Sequence, residues 1–233
     1  VSRVAYLQQG TPTSMIVKFR TSTAVVGKVN YGTDKANLNL SVSGTSKTYH
    51  EIKLTGLTPN TKYYYNIGTS TAVLAGDTNY NFYTSPTHAS RVPVRFWALG
   101  DAGTKDASQR NVRNAYDNYN KKYTNAIILL GDTAYDSGTD AEYQLAIFQN
   151  MYEANIRRSP LWATTGNHDS GSDKDAGTGV FFDIFAHPKA AEAGGIASGH
   201  EAYYSWNYAN VHFICLSTEL DECKLYTGAC TGP

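Results

Sequence analysis

Polar and apolar residues alternate in short stretches through the first third of the chain, at 14–20, 25–31, 38–42, 49–54, 63–67 and 80–83. A period of two turns one side of each stretch toward a core and the other toward water, so each is predicted to be a β-strand. Turn residues separate them at Tyr31-Gly32-Thr33-Asp34, Ser43-Gly44-Thr45 and Thr58-Pro59-Asn60, and no helical period interrupts the series. Short strands at this spacing predict a small antiparallel β-sandwich.

The polar, proline-containing stretch Ser85-Pro86-Thr87-His88-Ala89-Ser90 reads as a linker, after which the pattern changes. Residues 94–99 read as a strand, 105–123 as a helix, 126–130 as a strand and 161–165 as another. A second helix is predicted to start at Thr139, where Thr139 and Glu142 stand at capping-box spacing and Tyr143, Leu145, Ile147, Phe148 and Met151 supply apolar positions. Strand and helix in alternation predict βαβ units on a mostly parallel sheet. The expected organisation is therefore an all-β sandwich over 1–88 followed by an α/β domain over 89–233.

Composition narrows the class. Of 233 residues, 41% are hydrophobic and only 17% charged, against about 25% in an ordinary soluble domain. Disorder, collagen and coiled coil are excluded. The balance of 20 basic and 20 acidic residues gives no electrostatic reason to expect nucleic acid or an anionic membrane as partner. The longest strongly apolar run, Ala126-Ile127-Ile128-Leu129-Leu130, is far short of the roughly 20 residues that cross a bilayer. Cys223 and Cys230 flank a short polar loop and can pair in an oxidising compartment, two free thiols being the alternative, whereas Cys215 reads as a small core residue. Eighteen tyrosines with few charges, and Val1 in place of Met, point to a processed, secreted or periplasmic chain. Asn39-Leu40-Ser41 is a glycosylation sequon if the source is a eukaryote that exports the protein.

The chemistry follows the strands. The three predicted parallel strands end in Gly100-Asp101-Ala102-Gly103, Gly131-Asp132-Thr133-Ala134-Tyr135-Asp136 and Gly166-Asn167-His168-Asp169. In a parallel sheet all three turns emerge at one carboxyl edge, where open α/β sheets bind ligands. Asp101, Asp132 and Asn167 recur at intervals of 31 and 35 residues, each long enough for one helical crossover. Carboxylate, phenolate and amide oxygens suit hard cations, and two cations about 3.5–4 Å apart can hold the attacking and leaving oxygens of a displacement at phosphorus. One Gly-Asp after a strand is a common turn; three such turns in order are not. His212 reads as a hydrogen-bonded structural residue, His187 and His200 fall in loops, and His50 and His88 lie outside the catalytic part.

These motifs resemble those of the calcineurin-like metallophosphoesterases and, through Asp101-x-Gly103 with Tyr135, of the purple acid phosphatases. The stretch Leu57-Thr58-Pro59-Asn60-Thr61-Lys62-Tyr63 resembles a fibronectin type III signature, in which the tyrosine closes a corner by bonding backbone a few residues upstream. The resemblance implies a dinuclear centre in which Asp101 and Tyr135 bind Fe(III), Asp132 bridges, and Asn167 binds a divalent ion, Zn, Mn or Fe(II). It implies hydrolysis of phosphate monoesters by a metal-bound hydroxide attacking in line. His168 would bind substrate and protonate the leaving oxygen, and Asp169, one methylene shorter than the family's usual Glu, would orient His168.

The family completes its centre with three further histidines, two of them in a Gly-His-x-His turn, and neither motif occurs here. The expected partners are thus a small phosphate ester and either a continuation beyond Pro233 or a second chain that supplies the remaining ligands. Two other readings stand beside this one: a phosphodiesterase or nucleotide phosphohydrolase on the same centre, and a non-catalytic extracellular module.

Overall fold

The computed structural model of the protein describes residues 1–120 and 122–217. Its first strands are β1 (Arg3–Gln8), β2 (Ser14–Gly32), β3 (Leu40–Thr55), β4 (Lys62–Gly68), β5 (Val73–Ala75) and β6 (Asn81–Tyr83). The alternating stretches at 14–20 and 25–31 are one strand, and so are those at 38–42 and 49–54. The expected turn at Ser43-Gly44-Thr45 is therefore corrected: it lies inside β3, which pairs with β2 from Ser14↔Thr55 to Tyr31↔Leu40. The pairing slips between Arg20 and Val25 and again between Val26 and Lys28, and Ser22, Thr23 and Ala24 are exposed. Such irregularities bend a long strand without ending it, and the polar residues at the bend make one strand look like two.

The tyrosine corner forms as expected: Thr58 N–H donates to the Tyr63 hydroxyl at 3.0 Å. Tyr63 then stacks on Phe82 inside a core that also holds Leu7, Met15, Phe19, Leu54 and Ile67. The linker is tied down at its start. Ser85 and Pro86 are buried, Thr84 Oγ1 donates to Thr58 O at 2.6 Å, and Ser85 N donates to Thr11 O at 3.2 Å.

In the second half, β7 (Phe96–Leu99), β8 (Ala126–Leu130) and β9 (Leu161–Thr164) are parallel, in register Phe96↔Ala126 and Ile127↔Leu161. Helix α1 (Ala107–Tyr119) begins at Asp106, whose side chain accepts from Gln109 N, and is shorter than the expected 105–123. Helix α2 (Asp140–Tyr143) starts with the capping box that Thr139 and Glu142 predict, then passes into a π-helical turn over Gln144–Phe148. Next come α3 (Glu153–Ile156), the hairpin β10 (Ser172–Asp173) and β11 (Thr178–Gly179), α4 (Val180–Ile184), and the hairpin β12 (Tyr204–Tyr208) and β13 (Val211–Cys215).

Alternation along β8 and β9 serves two cores. Ile127, Leu129, Leu161 and Ala163 face Tyr143, Ile147, Phe148 and Phe181, while Ala126, Ile128 and Trp162 face the β12–β13 hairpin, where Trp206 stacks on Trp162 at 4.0 Å. Both faces of this sheet are covered, as parallel sheets require.

One nine-stranded sheet runs through both halves in the order β5-β4-β2-β1-β9-β8-β7, with β3 on β2 and β6 on β4. Strand β1 is the joint, antiparallel to β2 and parallel to β9 at Gln8↔Leu161. No period of two marks it in the sequence, because Ala5 and Leu7 enter the sandwich core while Tyr6 enters the other. Cys215 is free and half-buried, and burial pushes its thiol up; Cys223 and Cys230 lie outside the described residues. Among the described residues no helix is long and apolar enough to cross a membrane.

Candidate metal centre

The three turns after β7, β8 and β9 meet so closely that only glycine fits between them. A Cβ on Gly103 would stand 2.4 Å from Thr133 C, and one on Gly166 would stand 2.2 Å from Asp132 Oδ1 and 2.3 Å from Asp132 N. Backbone bonds fasten the same contacts: Asp101 N donates to Gly131 O at 3.2 Å, Gly103 N to Asp132 O at 3.1 Å, and Tyr135 N to Gly103 O at 3.2 Å. Asp101 and Asp132 are left-handed, with φ of 52° and 49°, a conformation that aspartate tolerates better than most residues.

This geometry gathers the expected oxygen donors. The Tyr135 hydroxyl lies 3.0 Å from Asp101 Oδ1 and 3.0 Å from Asp132 Oδ2. Desolvation, then the two carboxylates that accept its hydrogen, push the Tyr135 phenol well above its usual range. The second oxygen of Asp132 accepts from His168 N at 3.0 Å, so one carboxylate spans the second and third turns. Asn167 is exposed in the third turn, next to that peptide bond. Two carboxylates aimed at one phenol are a hard, oxygen-rich set, and a cation at their meeting point would replace one shared proton as the group that offsets their repulsion. The donors present therefore fit a hard cation. Among the described residues there is no group of three or more His, Cys, Asp or Glu side chains placed to hold a metal ion.

His168 Nδ1 lies 2.7 Å from the main-chain oxygen of Asp136. A carbonyl oxygen only accepts, so Nδ1 carries a proton and Nε2 is left for a ligand. The expectation for Asp169 is corrected. Its side chain is wholly buried and accepts from Gly166 N at 2.8 Å, from Thr133 N at 3.5 Å and from the Tyr143 hydroxyl. Asp169 N donates to Gly166 O, which closes the turn and tucks the carboxylate beneath it. Burial raises the Asp169 carboxyl, against the pull of these donors. It braces the second and third turns instead of orienting His168.

His88 is exposed in the linker, and the other four histidines are engaged elsewhere. His187 Nε2 accepts from Ala163 N at 3.1 Å, His200 bonds Asp175 O and Ala202 N, His212 meets Asn207 Oδ1 at 2.6 Å, and His50 stacks on Phe19. The sequence marks Tyr143 only as an apolar helix position and gives no signal for the Asp136 carbonyl, because a backbone atom acts there whatever the residue type.

Both halves of the chain match known families. Residues 2–91 match the family described as purple acid phosphatase, N-terminal domain, and residues 94–226 match the calcineurin-like phosphoesterase family. Purple acid phosphatase 23 of Arabidopsis thaliana is 25% identical over 92% of this chain and 57% of its own length. Purple acid phosphatase 21 of Arabidopsis thaliana is 28% identical over 83% and 43%, and phosphoenolpyruvate phosphatase of Allium cepa is 25% identical over 82% and 40%. The chain spans about half the length of the curated relatives it matches. Among solved structures, purple acid phosphatase PPD1 from yellow lupin (Lupinus luteus) seeds superposes with a TM-score of 0.67 at 18% identity, over 94% of this chain and 46% of that one. PhoD superposes with a TM-score of 0.62 at 16% identity, over 93% and 52%. Matched over 94–226 and preceded by a purple acid phosphatase N-terminal domain, this chain belongs to the calcineurin-like phosphoesterase family, in its purple acid phosphatase branch.

Proposed function

We propose that the protein hydrolyses phosphate monoesters at a dinuclear Fe(III)–M(II) centre, with Zn, Mn or Fe(II) as the divalent ion. The observation that carries this reading is the convergence of Asp101 and Asp132 on the Tyr135 hydroxyl. Asp101 and Tyr135 would hold the ferric ion, Asp132 both ions, and Asn167 the divalent one. When bound, the cations supply positive charge to the phosphate and activate the attacking water.

The chain's own residues do the rest. With Nδ1 committed to the Asp136 carbonyl, His168 presents Nε2 as the atom that carries or gives up the second proton. A positioned acid of this kind is worth about 10²–10⁴ in rate when it protonates the departing alkoxide. Three further ligands complete the family's shell, and we assign them to a continuation beyond Pro233 or to a second chain. Support comes from Leu216 O, which accepts from Thr164 Oγ1 at 3.3 Å, and from Ser217 Oγ, 3.1 Å from Thr165 Oγ1, so Leu216 and Ser217 lie beside the third turn. A secreted or periplasmic setting belongs to the same proposal, in keeping with a charged fraction of only 17%.

The test is metal analysis of the full-length protein together with rates on a monoester, a diester and ATP. Stoichiometric iron with the monoester fastest is expected; Asp132→Ala loses both metals, and His168→Ala keeps them while turnover falls. An Asp132→Ala protein with full metal occupancy would sink the reading, and a diester or ATP turned over fastest would move it to those substrates.

A further inference from the structure

Helix α2 is gripped from two sides. On one side, Asp140 Oδ1 accepts from Arg3 Nη2 at 2.7 Å and Asp140 Oδ2 from Arg20 Nη1 at 2.6 Å, both arginines belonging to the sandwich. Arg3 also donates to Gln144 Oε1 at 3.0 Å and lies over the Phe148 ring. Against the desolvation of a half-buried carboxylate, Arg20 and Arg3 hold Asp140 below its ordinary range. On the other side, Glu142 does more than cap. Its Oε2 accepts from Thr139 N at 2.9 Å, Thr139 Oγ1 at 2.9 Å and Ser137 N at 3.2 Å, and its Oε1 accepts from Asp136 N and faces Lys105 Nζ at 3.5 Å. Lys105 Nζ also donates to Tyr135 O.

A capping box needs only the bonds between Glu142 and Thr139. The contacts to Asp136, Ser137 and Lys105 lie outside it, and they gather the main chain of the second ligand turn around one carboxylate. That main chain includes the Asp136 carbonyl on which His168 Nδ1 rests. We propose that Glu142 is a positioning residue for His168: it fixes the Tyr135–Thr139 backbone so that the Asp136 carbonyl selects the ring's tautomer and turns Nε2 toward the substrate. The sandwich takes part, because Arg3 and Arg20 hold the helix that carries Glu142. This inference rests on the phosphatase reading for its catalytic consequence and not for its geometry. Opposed by desolvation, the surrounding donors of Thr139, Asp136 and Ser137 still take the Glu142 carboxyl down to about 2, so it is ionised at neutral pH.

Glu142→Gln tests it in the full-length, metal-loaded protein. An amide is nearly the same size, yet its NH₂ must face N–H donors on one side or the other, which releases part of the loop. Ring ¹⁵N shifts of His168 are expected to show one Nδ1-protonated tautomer in the native protein and a mixture in the variant. The Asp136 and Ser137 amides should exchange at least tenfold faster, and kcat on a monoester should fall about tenfold with KM and metal content unchanged. Lys105→Met, at a partly exposed site, should give the same signs more weakly and serves if Glu142→Gln does not fold. A folded variant that keeps a single His168 tautomer and native kcat overturns the proposal. If the tautomer is freed while the native protein cleaves no phosphate ester, positioning stands and the phosphatase reading falls.

Discussion

Tyr63 and Tyr135 are two phenols in one chain with opposite surroundings. Tyr63 is buried, accepts one backbone N–H and stacks on Phe82, so its oxygen and its ring are both engaged by the fold itself. Tyr135 is half-buried and faces two carboxylates that its single hydrogen cannot satisfy together. The sandwich around Tyr63 is organised for stability, with alternating strands whose buried faces form one apolar core. The turn edge around Tyr135 is organised around something it must bind, with left-handed aspartates, glycines that leave no room for a Cβ and two carboxylates on one phenol. A fold keeps such features where a ligand offsets them.

The contrast can be broken most forcefully at its stable end. Leu54→Ala empties a wholly buried sandwich position, and the expected loss is about 2–5 kcal/mol by urea denaturation. Iron content of the protein that remains folded should not change; a parallel loss of iron would mean that the two regions are not separable. At the turn edge, Gly166→Ala drives a methyl into Asp132. A stability loss of about 1–3 kcal/mol is expected from overpacking, together with loss of bound metal, and retention of native iron would show that the turns can part without harm.

Acid separates the regions in another way. Burial takes the His187 ring down from 6.5 to about 3, so the unfolded chain binds its proton first. Stability from this site is complete above pH 6.5 and is lost progressively as the pH falls from 6.5 toward 3. The urea midpoint should fall across that window, and less steeply in His187→Gln; identical slopes would remove His187 as a cause. The smallest effect is expected at the corner. Tyr63→Phe deletes one hydrogen bond to Thr58 N, and about 1 kcal/mol should be lost with no change in metal content or turnover.

Much of this was legible one residue at a time. The sandwich strands, the capping box at Thr139 and Glu142, and the order of the three polar turns follow from period, turn chemistry and spacing, which are local properties, and the corner at Tyr63 followed from a local resemblance. What acts across distance was not. Strand β1 hides its alternation because its two faces enter two cores, and the bend in β2 and β3 imitates two pairs of strands.

The same division holds at the site. The sequence alone determined which residue types stand after each strand, and therefore that Asp101, Asp132, Tyr135 and Asn167 share one edge of a parallel sheet. The partners were set by packing across the fold. Asp169 follows His168 yet turns beneath the turn to Tyr143, while the His168 ring finds a carbonyl 32 residues upstream. Neighbours in sequence share a backbone, whereas a side chain bonds whichever unsatisfied group packing brings within about 3 Å, and packing is a property of the whole fold.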